Sequence, residues 1–162
     1  MILTEQALLD LLEEQHIDYT VRKHEPIYTV AEGEALGLPN AKAAVKSLLL
    51  TDDKHASFYL VVLPLDKQLD LKQLRVKIGS RRLTMATPAE LAQLLGLTPG
   101  AVTPFGLLQD DQHRVQTFFA STLKENTIAV PLASNTATVW LRCQELVQLL
   151  EAQGHSINYI LL

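Results

Sequence analysis

The stretch AAVKSLLLTDDKHASFYLVVLP, residues 43–64, decides the fold. Its first half, Ala43 to Leu50, is apolar except for Lys46 and Ser47. Thr51-Asp52-Asp53-Lys54 is turn chemistry, because short polar side chains bond back onto nearby backbone. Phe58 to Leu63 is a second apolar run, and Pro64 ends it. Two apolar runs of strand length around a polar turn predict a β-hairpin. The near absence of polar alternation predicts a place in the middle of a sheet, covered on both faces.

Toward the N-terminus, Leu8, Leu11 and Leu12 share one face of a helix expected over Thr4 to Gln15. Tyr19 and Val21 alternate with polar neighbours, as in a short strand that His24-Glu25-Pro26 breaks. Thr29 and Glu32 have the capping-box spacing and Gly37 is a stop, so a two-turn helix lies between them. Toward the C-terminus, Asp70 caps Leu71 to Ile78, with Gly79 as the stop. Thr87-Pro88-Ala89-Glu90 combines an N-cap, proline at the first helical position and glutamate at the third. Leu91, Leu94 and Leu95 form the apolar face of that helix, and Gly96 ends it.

Thr98 to Gly106 contains two prolines and two glycines and is expected to be irregular. Val115 to Phe119, Thr127 to Val130 and Thr136 to Leu141 read as strands. Gln144 to Gln153 reads as an amphipathic helix with Leu146, Leu149 and Leu150 inward, and Ile157 to Leu161 as a last edge strand. Helices and strands mix without strict alternation. The expected class is α+β, or irregular α/β: a mixed, mainly antiparallel sheet flanked by helices. With no repeat and no Gly/Ser/Pro-rich linker, residues 1–162 read as a single domain.

Composition narrows the function. Hydrophobic residues make up 48% and charged residues 20%, which is ordinary for a globular chain and excludes disorder throughout. The single cysteine, Cys143, excludes an internal disulfide and a multi-cysteine zinc site. No apolar run reaches the roughly 18–20 residues of a membrane span, and the N-terminal stretch lacks the basic flank of a secretion signal. A cytoplasmic protein without membrane contact is expected. The net charge of −4 argues against a broad, sequence-independent nucleic-acid surface, DNA included. It leaves room for a small basic patch on one end of an RNA.

No catalytic signature of the nucleophile-elbow, zinc-helix, Walker or dinucleotide type occurs. His16, His24, His55, His113 and His155 are isolated in sequence, so neither a metal nor a cofactor is expected. Three places could carry chemistry. Lys46 interrupts an apolar run; it is either a solvated lysine near a strand end or a cation aimed into a cleft at an anionic group. Gly100 to Pro104 is either a plain turn or a place where backbone N–H groups approach a ligand. Asn135-Thr136-Ala137-Thr138 holds either ordinary β-formers or the lining of a pocket for a small side chain.

These stretches together resemble the YbaK/prolyl-tRNA synthetase-associated editing domain family, over nearly the whole chain. His24 to Glu32 is similar to its opening segment, a His-x-Pro followed by Thr-Val and an acidic helix. Leu38 to Lys42 leads to Lys46, which matches the family's active-site lysine, and Tyr59 to Pro64 with Asp66-Lys67 matches the next strand and turn. Gly100 to Pro104 fits a G-x-x-x-P loop. Asn135 to Thr138 before a terminal helix resembles the free-standing ProX- or PrdX-like branch.

The resemblance implies metal-independent hydrolysis of the ester of a mischarged tRNA, acting in trans. For this branch it implies alanine on proline tRNA. A proline pocket cannot strongly reject a smaller amino acid by apolar contacts, so a second site must clear the errors. Alternatives in the same fold are cysteine or another small amino acid on tRNA, or a non-catalytic module that binds aminoacyl-tRNA or the synthetase. A regulator sensing a free amino acid or nucleotide is a third. The implied partners are the tRNA acceptor end with its terminal adenosine, and prolyl-tRNA synthetase.

The resemblance gives Lys46, Gly100 and Ala101 the catalytic roles. Lys46 would grip the phosphate or ribose end, and the backbone at Gly100 and Ala101 would contact the aminoacyl carbonyl. It puts Tyr28, Thr29, Val30, Ser47, Val102, Thr103, Pro104, Asn135, Thr136, Ala137 and Thr138 along the substrate. Two positions depart from the pattern. Ser47 stands where many members have Asn, and Val130-Pro131 fills a slot where many have His-Pro. The site is thus expected to lack its histidine, with none of the five histidines an obvious substitute.

Overall fold

Local signals set most of the elements in the computed structural model, which describes residues 3–162. Met1 and Ile2, the start of the stretch read above for a secretion signal, lie outside the described residues. The helices are α1 (Glu5–Glu14), α2 (Val30–Ala35), α3 (Leu71–Ile78), α4 (Pro88–Leu95) and α5 (Cys143–Ala152). The strands are β1 (Tyr19–Lys23), β2 (Val45–Asp52), β3 (Phe58–Pro64), β4 (Leu83–Met85), β5 (Val115–Ala120), β6 (Thr127–Pro131), β7 (Ala137–Arg142) and β8 (Ile157–Ile160). Short 3-10 turns occupy Ala41–Ala43, Pro104–Gln109 and Ser121–Leu123.

The caps act as their residue types predict. Thr87 and Glu90 close a reciprocal capping box at the start of α4. The Asp70 carboxylate accepts from the amides of Lys72 and Gln73 at the start of α3. The β2–β3 turn is held by the Asp52 carboxylate, which accepts from the amides of Lys54 (3.2 Å) and Ala56 (2.9 Å). Those bonds keep the Asp52 carboxyl below the usual carboxylate range, the Ala56 amide acting most strongly.

The strands divide into two sheets. The larger has the order β4-β2-β3-β5-β8, and the smaller β1-β7-β6. The hairpin β2–β3 is central, and every residue of β3 before Pro64 is buried. β3–β5 and β5–β8 are parallel; the other four pairings are antiparallel. The α+β class with mainly antiparallel pairing therefore holds. The buried side chains of both sheets form one connected core with Leu8, Leu12, Leu95 and Leu146 from the helices. Among the described residues, no helix is long and apolar enough to cross a membrane.

Several expectations need correction. The single sheet is two sheets: among the described residues no ladder joins them, and an isolated bridge links Ala44, just before β2, to Ala129 of β6. β2 runs on through Thr51 and Asp52, since the Thr51 hydroxyl and the Asp52 amide both donate to the carbonyl of Ser57. The segment expected to be irregular through Gly106 turns 3-10 helical from Pro104, whose fixed φ suits a first helical position. β4 escaped notice because three residues give no period to read.

Candidate active site

A cavity of about 330 Å³ lies where the two sheets meet. Such a volume is near the small end of ligand pockets, which run from about 300 to 1,000 Å³. The first half of β2, the end of β6 and the start of β7 supply its strands. The segment before α2, the 99–102 loop and the β4–α4 junction complete it. Gly33, Ala41, Ala44, Ala129 and Ala137 leave the room that larger side chains would fill. Among the described residues, Lys46 is the one lysine or arginine in the lining, and no carboxylate lines it.

Strand geometry puts Lys46 there. Along β2, Val45 and Ser47 are buried, while Lys46 and Leu48 alternate with them and are half-buried at the cavity. Among the described residues, no carboxylate stands within ion-pair distance of Lys46. Its charge is therefore available to a ligand. Ser47 lines the cavity too, and its buried Oγ has no hydrogen-bond partner.

Three loops meet at the rim. Asn135 Nδ2 donates to the Tyr28 hydroxyl at 3.2 Å, and Tyr28 is 61% exposed. Gly100 adopts φ +85°, where an L side chain is strained, and a Cβ there would stand 3.7 Å from the Tyr28 ring. Thr29 lines the cavity, but its hydroxyl is engaged at the start of α2, accepting from the Glu32 amide and donating to the Glu32 carboxylate. Val30, Ala137 and Thr138 also line the cavity.

Four of the expected residues do not reach it. Ala101 is outside the lining, and its amide closes a turn by donating to the Thr98 carbonyl at 3.1 Å. Thr103 is fully buried behind the loop, where its hydroxyl donates to the Pro131 carbonyl at 2.6 Å. Pro104 is buried at the start of the 3-10 turn. Thr136 is exposed; its amide and hydroxyl bond with Ser134 Oγ, and its carbonyl accepts from the His24 amide. Of the loop from Gly100 to Pro104, Gly100 and Val102 alone line the cavity.

One histidine does reach the site. His24 lines the cavity, with Nε2 2.6 Å from Thr138 Oγ1 and Nδ1 2.6 Å from the Glu25 carbonyl. Sequence reading passed over it because β1 pairs with a strand more than a hundred residues away. Continued one residue past Lys23–Ala137, the register sets His24 opposite Thr136, and Thr138 lies diagonally from it on the same face, within reach of the ring. The available signal was a His-x-Pro directly after a strand.

Cys143 is no candidate nucleophile: it is fully buried, and burial pushes its thiol up to about 11. Among the described residues, no three His, Cys, Asp or Glu side chains gather as a metal-holding group.

Comparison with known proteins places this chain in a family. The sequence model of the aminoacyl-tRNA editing domain matches residues 24–149, which contain Lys46 and all three rim loops, the Asn135–Thr138 segment among them. The chain belongs to the aminoacyl-tRNA editing domain family. Within that family it is 39% identical over 156 residues to the prolyl-tRNA editing protein ProX of Acetoanaerobium sticklandii, covering 96% of this chain and 95% of that one. It is also 38% identical over 108 residues to the multifunctional Ser/Thr-tRNA deacylase ProXp-y of Escherichia coli, covering 63% and 62%. The crystal structure of a candidate trans-editing enzyme for prolyl tRNA synthetase matches with a TM-score of 0.70, over 97% of this chain and 96% of that one. At 21% identity that match concerns the fold, which is the editing-domain fold.

Proposed function

We propose that this editing domain hydrolyses the ester of mischarged tRNA in trans, with alanine on proline tRNA as its main substrate. It would act as one unit over residues 1–162. The observation that carries the reading is the unpaired ammonium of Lys46 at a mainly apolar cavity of about 330 Å³, in a chain of this family. The extensive likeness to ProX supports the proline-tRNA assignment.

The chemistry asks little of the protein. An aminoacyl ester is activated already. Water adds to the ester carbonyl, the carbonyl oxygen takes negative charge, and the tetrahedral adduct expels the ribose oxygen. That oxygen leaves as the hydroxyl of the terminal adenosine, and the amino acid is freed. Lys46 holds the phosphate or ribose end as a point charge. With the Ala101 amide engaged in its turn, the amides of Gly100 and Val102 remain to face the developing oxyanion. Tyr28 and Asn135 close the rim over the adenosine, and Val30, Ala137 and Thr138 bound the aminoacyl group.

A second reading is favoured by one feature. The likeness to the Ser/Thr-tRNA deacylase ProXp-y makes serine the first competitor. The deciding experiment is deacylation of proline tRNA charged with alanine, cysteine, serine or proline, by the wild type and by Lys46→Ala. The expected result is fastest loss of alanine, slow loss of proline, and at least a hundredfold drop in the variant. No hydrolysis above the spontaneous rate for any ester would overturn the enzyme reading.

A further inference from the structure

With the His24 ring neutral, its contact with Thr138 has one direction. A backbone carbonyl carries no proton, so the bond between His24 Nδ1 and the Glu25 carbonyl requires Nδ1 to be the donor. In the neutral ring Nε2 is then an acceptor, and at 2.6 Å it takes the hydroxyl proton of Thr138. Thr138 Oγ1 is left with lone pairs alone to offer the cavity it lines. The His24 amide, donating to the Thr136 carbonyl at 2.9 Å, fixes the ring's own backbone.

An oriented acceptor selects a donor. Among the described residues, the lining holds no carboxylate that could receive a cationic group. Among the other hydroxyls of the lining, that of Thr29 is engaged in a helix cap, that of Tyr28 accepts from Asn135, and the Ser47 Oγ is buried out of reach of a ligand. Lys46 stands on the larger sheet and Thr138 on the smaller one, so the cavity has a cationic wall and an acceptor wall. A ligand with one negative and one positive end fits in one sense only. Its phosphate or ribose end lies at Lys46 and its ammonium end at Thr138.

We propose that the Thr138 hydroxyl, held by His24 with its lone pairs toward the cavity, accepts a hydrogen bond from the α-ammonium of the aminoacyl group. Thr138 is a specificity residue and His24 its positioning residue. This inference rests on the deacylase reading and adds to it a preference for a free amine over a blocked one.

The test compares alanyl-tRNA(Pro) with N-acetyl-alanyl-tRNA(Pro). Acetylation removes the positive charge and leaves the ester intact. The wild type is expected to prefer the free amine by about 10- to 100-fold in kcat/KM, the size of a hydrogen bond to a charged group. Thr138→Val should lose that preference by slowing on the free amine alone, whereas Thr138→Ser should keep it. His24→Ala should lose part of it, and the double variant should be no worse than Thr138→Val. Circular dichroism and melting of each variant show which are folded; the wild-type substrate comparison needs no variant. Equal rates on both substrates with the wild type, or equal slowing on both by Thr138→Val, would overturn the inference and leave the deacylase reading intact. An unchanged preference in His24→Ala would remove His24 from it. Inactivity of the wild type on every aminoacyl-tRNA would overturn both.

Discussion

Replacing Thr103 by valine separates a structural pin from a substrate contact. The family resemblance puts Thr103 along the substrate, whereas the structure buries it completely and points its hydroxyl at the Pro131 carbonyl, 2.6 Å away. Valine keeps the shape and removes the donor. Leaving a buried acceptor without a partner costs about 1–3 kcal/mol. This bond is only part-buried, so the lower half of that range applies, about 1–2 kcal/mol. For a chain of this size each kcal/mol lowers Tm by about 2–4 °C, so Thr103→Val should melt about 2–8 °C below the wild type. Urea unfolding should show a lower midpoint with an unchanged slope. Thr103→Ser keeps the bond, loses one methyl, and should fall by about 0.8 kcal/mol. Because the bond ties the loop carrying Gly100 and Val102 to β6, deacylation should weaken in step with stability. A valine variant as stable as the wild type, with a raised KM, would refute the pin and restore the substrate contact.

Two further outcomes are expected. Burial above all, with the neighbouring His113 imidazole, lowers the basicity of His155, so the unfolded chain takes up the proton first as pH falls. Its neutral form is matched above the ordinary histidine pKa of about 6.5, and stability should decline as pH drops below that value. Nearby Asp110 and Asp111 oppose the shift without reversing it. Chemical denaturation at pH 8 and pH 5 should show a smaller loss in His155→Gln than in the wild type; equal losses would remove His155 from the acid response. The Cys143 thiol, at about 11, is ionised in only about one part in a thousand at pH 8. Alkylation by iodoacetamide should be about a hundredfold faster in denaturant than in the folded protein, and similar rates would show the thiol to be accessible.

Much of the fold was legible because its signals are local. Thr87-Pro88-Ala89-Glu90 must start a helix wherever it lies, since the cap, the proline and the glutamate act within one turn. The run from Phe58 to Leu63 could be stable only if covered on both faces, and β3 lies at the centre of its sheet. Lys46 stood out for the same reason, as a charge inside an apolar run.

The division of labour among the site residues was not local. Gly100 to Pro104 reads as one motif, but a turn engages the Ala101 amide, Thr103 faces away to bond β6, and Gly100 and Val102 alone line the cavity. His24 looked isolated because its partner, Thr138, is 114 residues away in the chain. By itself the sequence determined the helices, the central hairpin and the lysine, all set by side chains within a few residues of one another, and the family, through the order and spacing of motifs along nearly the whole chain. Tertiary structure alone decided which hydroxyls and amides are free and where a histidine meets the cavity. Those depend on strand register and on how two sheets join at Ala44 and Ala129, and no short-range preference encodes either.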